Sequence, residues 1–227
     1  MNFRPGWPLS LFFLFFFPLT LSLGVWQVNR AQWKTQLVAE YENKMSAPAE
    51  AVTEDSQALD HIWIQGVVDK NRIKYWDNRT LNGQVGYELL VPVALDQNHH
   101  DIDFALVNMG WLPAPERRSE LPALPAVPAQ INWQGVLRKI TLQEPESSDA
   151  QQVVQAADVA VFAQANETWL PFLIQLDPLQ PYGLMENWQP TTMPPAKHRG
   201  YAVQWFGLAA TLVILFLVAG YRRGNTR

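Results

Sequence analysis

The stretch PLSLFFLFFFPLTLSLGVW, residues 8–26, decides the architecture. It lies inside 25 consecutive residues, between Arg4 and Arg30, that carry no formal charge. A second charge-free run of 22 residues separates Arg199 from Arg222 and includes Val203, Trp205, Phe206, Leu208 and the block Leu212 to Leu217. About 20 apolar residues cross the hydrocarbon core of a bilayer, so both runs are long enough to span it. We expect transmembrane helices over 8–26 and 201–221, with tails at 1–7 and 222–227. The competing reading of the first run is a cleaved signal peptide. Against it, the run exceeds the ~7–15 residues of such a segment and ends in Gly24-Val25-Trp26-Gln27 rather than a small-x-small cleavage site. Pro18 lies mid-span, where a membrane helix tolerates it.

Outward from these spans the charge divides sharply. The whole chain has 227 residues, 17 basic and 21 acidic side chains, a net charge of −4 and no Cys, with a mean hydropathy of −0.11. Without Cys there is no disulfide scaffold, no thiolate metal site and no c-type haem attachment. The acidic balance argues against nucleic acid as a partner. Residues 30–199 hold 13 basic and 21 acidic side chains, hence −8, whereas the flanks contain only Arg4, Arg222, Arg223 and Arg227. Short basic tails stay on the cytoplasmic side and long domains cross regardless of charge, so both termini are expected inside and residues 27–200 outside. The absence of an Arg- and Ser-rich transit peptide favours a bacterial inner membrane, with a periplasmic domain, over an organelle.

Trp26, Arg30, Trp33, Leu37 and Tyr41 share one helical face, so the first helix is expected to continue to about residue 45. Ser46 to Gln57 reads as loop. Period-two alternation then marks strands over His61–Asp69, Arg72–Arg79, Val85–Leu95, Phe104–Leu112, Trp133–Ile140 and Phe172–Asp177. Asp69-Lys70-Asn71 and Asn82-Gly83 have hairpin-turn chemistry. Five Pro between Pro113 and Pro128 require an extended connector. Val153–Ala165 has the pattern of a short helix, and residues 178–197 form a Pro-rich lead-in to the second span. The fold class expected is an α+β membrane protein: two transmembrane helices flanking a β-rich, antiparallel domain for which a barrel is one available closure.

Catalytic signatures are missing: there is no nucleophile elbow, phosphate-cradling loop, dinucleotide fingerprint or His-Glu-x-x-His. We therefore expect no enzyme activity; converging carboxylates in a pocket would revive a membrane-bound periplasmic enzyme. A two-helix sensor needs an output domain, and only six residues follow Tyr221. His99, Asp101 and Asp103 can share one strand face and hold a metal, but Gln-Asn-His-His-Asp is equally an ordinary polar turn. His61 reads as a satisfied imidazole at a strand start. His198 differs by its address, roughly 7–8 Å before Val203 along a helix, in the interfacial layer. It shares a helical stripe with Tyr201, Trp205 and Leu212. Such an imidazole can serve as axial ligand to a haem iron, the ring lying against aromatics and the propionates meeting Lys197 or Arg199. The same residues, like Trp26, Arg30, Trp33 and Lys34 at the matching depth of the first helix, also make an ordinary interfacial belt.

These residues carry a resemblance. The chain resembles the Surfeit locus protein 1 family through Leu23-Gly24-Val25-Trp26-Gln27-Val28-Asn29-Arg30 with Trp33-Lys34, Gly86 with Val91-Pro92, and Val107-Asn108-Met109-Gly110-Trp111-Leu112-Pro113. Gly135-Val136-Leu137-Arg138 and His198-Arg199-Gly200-Tyr201-Ala202-Val203-Gln204-Trp205-Phe206 complete the ordered set. Members usually carry Arg where Met109 stands and Asn where Lys197 stands, and residues 141–170 match poorly. The resemblance implies a role in assembling haem-copper cytochrome c oxidase, with haem a bound transiently and passed to oxidase subunit I, and with haem a synthase as a further partner besides the lipid bilayer. It points to His198 as the haem iron ligand, with Tyr201, Trp205, Trp26 and Arg30 completing the site. The alternative is a scaffold that stabilises nascent subunit I without touching haem.

Overall fold

The computed structural model describes residues 3–96, 102–117, 120–140, 152–177 and 184–225. The chain separates into two compact units, Met1–Glu40 with Gln189–Arg227, and Tyr41–Trp188. The first is built from helix α1 (Trp7–Ser46), whose C-terminal end belongs to the other unit, and helix α2 (Pro195–Asn225). At 1.5 Å per residue these reach about 60 and about 46 Å, both beyond the ~30 Å of a bilayer core. Both are long and apolar enough to cross a membrane. Helix α1 runs through Pro18 without a break, and Thr20 and Ser22 donate their hydroxyls to the carbonyls of Phe16 and Pro18. Leu11, Phe12, Leu14, Phe15, Val203, Ile214 and Leu215 are all exposed, a distribution that suits hydrocarbon and not water.

The second unit is a sheet closed on itself. Its strands are β1 (Glu50–Ala51), β2 (His61–Val68), β3 (Lys74–Leu81), β4 (Gln84–Leu95), β5 (Phe104–Pro113), β6 (Gln130–Lys139), β7 (Val153–Val154) and β8 (Trp169–Leu176). The order β2-β6-β8-β5-β4 returns to β2 through the β2–β4 pairing, giving a five-stranded barrel, with β3 and β7 continuing outward from β4 and β1 on β2. Inward-facing Ile62, Ile64, Leu89, Val91, Val107, Trp133, Leu137 and Ile174 fill it. The outer face is also covered: Leu90, Leu106 and Leu173 pack under Val154, Ala157, Val161 and Phe162. Burial on both faces explains why β4 is a nearly unbroken buried run rather than an alternating one.

Three expectations are corrected. The sheet is mixed, because β8 pairs antiparallel with β6 but parallel with β5; period-two alternation is the same for both pairings. Asp69-Lys70-Asn71 does form a turn, with Asp69 accepting from Asn71 N, but it joins strands that do not pair: β2 lies between β6 and β4, and β3 between β4 and β7. Residues 153–165 hold strand β7 and a single 3₁₀ turn at Val159–Val161, capped by Asp158, instead of a helix. The helical spacing of Val154, Ala157, Val161 and Phe162 arises from an irregular segment laying its apolar side chains on the barrel. At Asn82-Gly83, φ values of 51° and 81° make the β3–β4 turn with positive φ at both central residues, as Asn-Gly hairpins do. Within the Pro-rich connector, Leu121 and Val127 join the barrel core and the Pro122 carbonyl accepts from Tyr75 Oη at 2.7 Å.

Closure occurs at Gly66, which is in register with Ile131 of β6 on one side and Leu95 of β4 on the other. A Cβ there would run into the Ala94 carbonyl oxygen. Gly66→Ala must therefore push β2 from β4, costing about 1–3 kcal/mol as overpacking does. Followed by tryptophan fluorescence, the Tm of the β-rich unit should fall by about 2–12 °C. An unchanged Tm would show that the strands part there freely.

Candidate functional site

In the helical unit, α1 buries Thr20, Gly24, Gln27, Ala31 and Lys34, at spacings of four, three, four and three. This is the 3.5-residue repeat of a helix packed along a partner. On α2 the buried face is His198, Ala202, Ala209 and Gly220. Small residues bring the helices together: a Cβ on Gly24 would meet the Phe206 ring at 2.6 Å, Phe13 stacks on Phe216 with centroids 4.3 Å apart, and Arg4 N donates to the Gly220 carbonyl at 3.0 Å.

The most polar point of this seam is its His198 end. The imidazole is 7% exposed, and its Nδ1 lies 2.8 Å from Gln27 Oε1, itself on a buried side chain. An amide oxygen only accepts, so Nδ1 carries a proton, and in the neutral ring Nε2 is then the nitrogen with the lone pair. That tautomer is the one a metal-ligating histidine needs, and a hydrogen bond at the far nitrogen is the usual way to hold it.

The other residues singled out in the sequence fall around this pair differently. Trp26 is 55% exposed and Tyr201 43% exposed, each one position away from the buried face; Trp205 is half-buried on it. Arg30 is directed along its own helix, its guanidinium 4.2 Å from the Trp33 ring centre, with Lys34 Nζ at 5.1 Å from the same ring. The partner of His198 is thus Gln27, the residue between Trp26 and Val28. Its signal was the heptad Thr20, Gln27, Lys34, a polar line within an apolar helix. Of the residues considered as metal ligands, His99 and Asp101 lie outside the described residues, and Asp103 caps the start of β8 by accepting from Thr168 N. His61 Nδ1 donates to the Ala47 carbonyl. Among the described residues no three His, Asp or Glu side chains group to hold a metal ion.

A second polar cluster lies on the outer face of the barrel. Glu88 of β4 is 1% exposed and accepts from Arg79 Nε at 2.9 Å, Asn108 Nδ2 at 2.6 Å and Asn187 Nδ2 at 3.0 Å. Asn108 in turn accepts from Gly110 N, where φ is +123°, and Trp111 Nε1 donates to the Arg79 carbonyl. Arg138 of β6 lies close enough for Glu88 to favour its charge, although burial, joined by the like charge of Arg79, holds its pKa below the usual arginine range. The isolated Glu88 in Gly-Tyr-Glu-Leu-Leu-Val was the sequence signal for this cluster, and period-two reading passed over it. Met109 belongs to the barrel core.

The SURF1 family model matches residues 14–210, which takes in most of α1, the barrel and the first half of α2. Among curated proteins, the chain is 23% identical to the SURF1-like protein of Monosiga brevicollis over 91% of its own length and 85% of that protein. It is 25% identical to Surfeit locus protein 1 of Xenopus tropicalis, covering 87% and 71% of the two chains. With the SURF1-like protein of Rickettsia felis it shares 24% identity over 94% and 96%.

Proposed function

The chain belongs to the SURF1 family, and from that premise we propose that it is a bacterial inner-membrane assembly factor for haem-copper cytochrome c oxidase that holds haem a at His198. The observation that carries the proposal is the Nδ1 bond to Gln27, which directs Nε2 of the neutral ring to act as the nitrogen donor. Haem a is cargo here, not a resident cofactor. The donor set fits it: one imidazole for the iron, exposed Trp26 and Tyr201 and half-buried Trp205 for the macrocycle, and Arg30, Lys197 and Arg199 for the propionates. Admitting a porphyrin beside a buried imidazole requires the helix mouth to part. What must give way is the packing on the Nε2 side, while Gln27 keeps its bond to Nδ1 and orients the ring. One replaceable ligand suits delivery to subunit I, with haem a synthase as the donor, and no covalent chemistry is required of this chain.

The basic tails support a topology with both termini cytoplasmic and the barrel periplasmic. The test is the absorbance spectrum of the full chain, purified in detergent from cells with and without haem a synthase. A Soret band with the pyridine haemochrome of haem a is expected only in the first. Haem-free protein that still co-purifies with subunit I would replace this reading with the scaffold one.

A further inference from the structure

Arg138 is left over from the polar cluster on the barrel's outer face. Glu88 is engaged by Arg79, Asn108 and Asn187, whereas Nη1 of Arg138 is buried with no hydrogen-bond partner among the described residues. An arginine cannot shed its proton to escape burial, and a buried N–H without an acceptor is costly. The guanidinium sits 5.4 Å from the Trp76 ring centre and 6.0 Å from that of Trp188, which confines its fork. It borders a cleft of about 200 Å³ lined also by Trp76, Lys139, Gln155, Ala157 and Leu173, so among the described residues the charged side chains on its wall are both cations. At ~30 Å³ per water the cleft has room for roughly six waters. That admits an oxyanion with part of its hydration but is below the ~300 Å³ at which pockets for larger organic ligands begin.

We propose that this cleft is a binding site for one small oxyanion, a carboxylate or a phosphate group, gripped by Arg138 with Lys139 adding charge. Both ligands present the paired oxygens that a guanidinium fork matches. The site lies in the barrel and does not depend on the haem reading, and its test uses full-length protein from cells lacking haem a.

The experiment titrates detergent-solubilised wild-type protein with sodium acetate or sodium phosphate at constant ionic strength, against sodium chloride, following tryptophan emission and Tm. We expect a saturable emission change and a rising Tm with one of the two oxyanions and with chloride neither; the responding ion identifies the group. Arg138→Lys should weaken that ion's binding about tenfold or more, the loss of a charged hydrogen bond. Arg117→Met, at a residue 80% exposed and paired with Glu120, should bind as wild type does. The proposal is overturned if neither oxyanion exceeds chloride in the wild type, a result that stands whether or not any variant folds. It is equally overturned if Arg138→Met binds unchanged.

Discussion

His198→Ala protein, purified in detergent from cells that make haem a, is expected to lack the Soret band of the parent chain and to leave cytochrome c oxidase activity in those cells at the level of a null strain. On the proposed haem reading the imidazole is the nitrogen donor, and the helix pair itself is held elsewhere, by Gly24 on Phe206, Phe13 on Phe216 and Gly220 against Phe3. The variant should therefore fold, and its circular dichroism should match the parent's. A purely structural histidine makes a different forecast. In that case His198→Ala and Gln27→Leu are equivalent, since either breaks the same 2.8 Å hydrogen bond, and neither touches the haem spectrum. If His198 is the ligand, Gln27→Leu keeps a Soret band and weakens haem binding by about 10–100-fold, the loss that follows removal of a partner orienting a metal-bound histidine. Equal spectra for the two variants would sink the assignment.

Glu88→Leu is expected to be the most destabilising single change in the barrel. The carboxylate is 1% exposed and collects three side-chain donors, one of them a guanidinium. Removing one partner of a buried pair costs about 3–5 kcal/mol, because the cation left behind is only partly solvated and no longer neutralised. Arg138, already short of a partner, loses the nearby charge that favours its own. The unfolding constant should rise roughly 10²–10⁴-fold, and Tm fall by about 6–20 °C. Glu88→Gln keeps the shape and one acceptor and should recover part of the loss. If Glu88→Leu melts with the parent, the cluster contributes nothing to the fold, and its place next to β6 is incidental.

Much of this molecule was legible in one dimension because local rules decide it. Charge-free runs of 25 and 22 residues mark the long helices, Asn82-Gly83 marks a hairpin, and alternating Ile, Val and Trp mark β2, β5 and β6. Pairing partners were not legible. Nothing in Trp169–Leu176 says that it inserts between β5 and β6, since a strand buried on both faces shows the same apolar run whichever way its neighbours point. The segment 153–165 misled for a related reason: apolar residues three and four apart serve a helix, but they serve equally a loop laid across a sheet. At the candidate site, the address of His198 followed from counting residues along α2. Its partner Gln27 did not, because Trp26 and Arg30 are larger and chemically louder, and only the packing of α1 decides which of these three residues faces inward.

Strand β8 has a consequence in time. It is the last strand of the barrel to leave the ribosome, and it is the piece that joins β5 to β6. Between the end of β6 at Lys139 and the end of β8 at Leu176 lie 37 residues, about 2–7 s of synthesis at 5–20 residues per second. Throughout that interval β5 and β6 each hold an unpaired edge of the kind that invites pairing with another chain. The nascent protein therefore passes through an interval of vulnerability that ends only just before its second long helix is made.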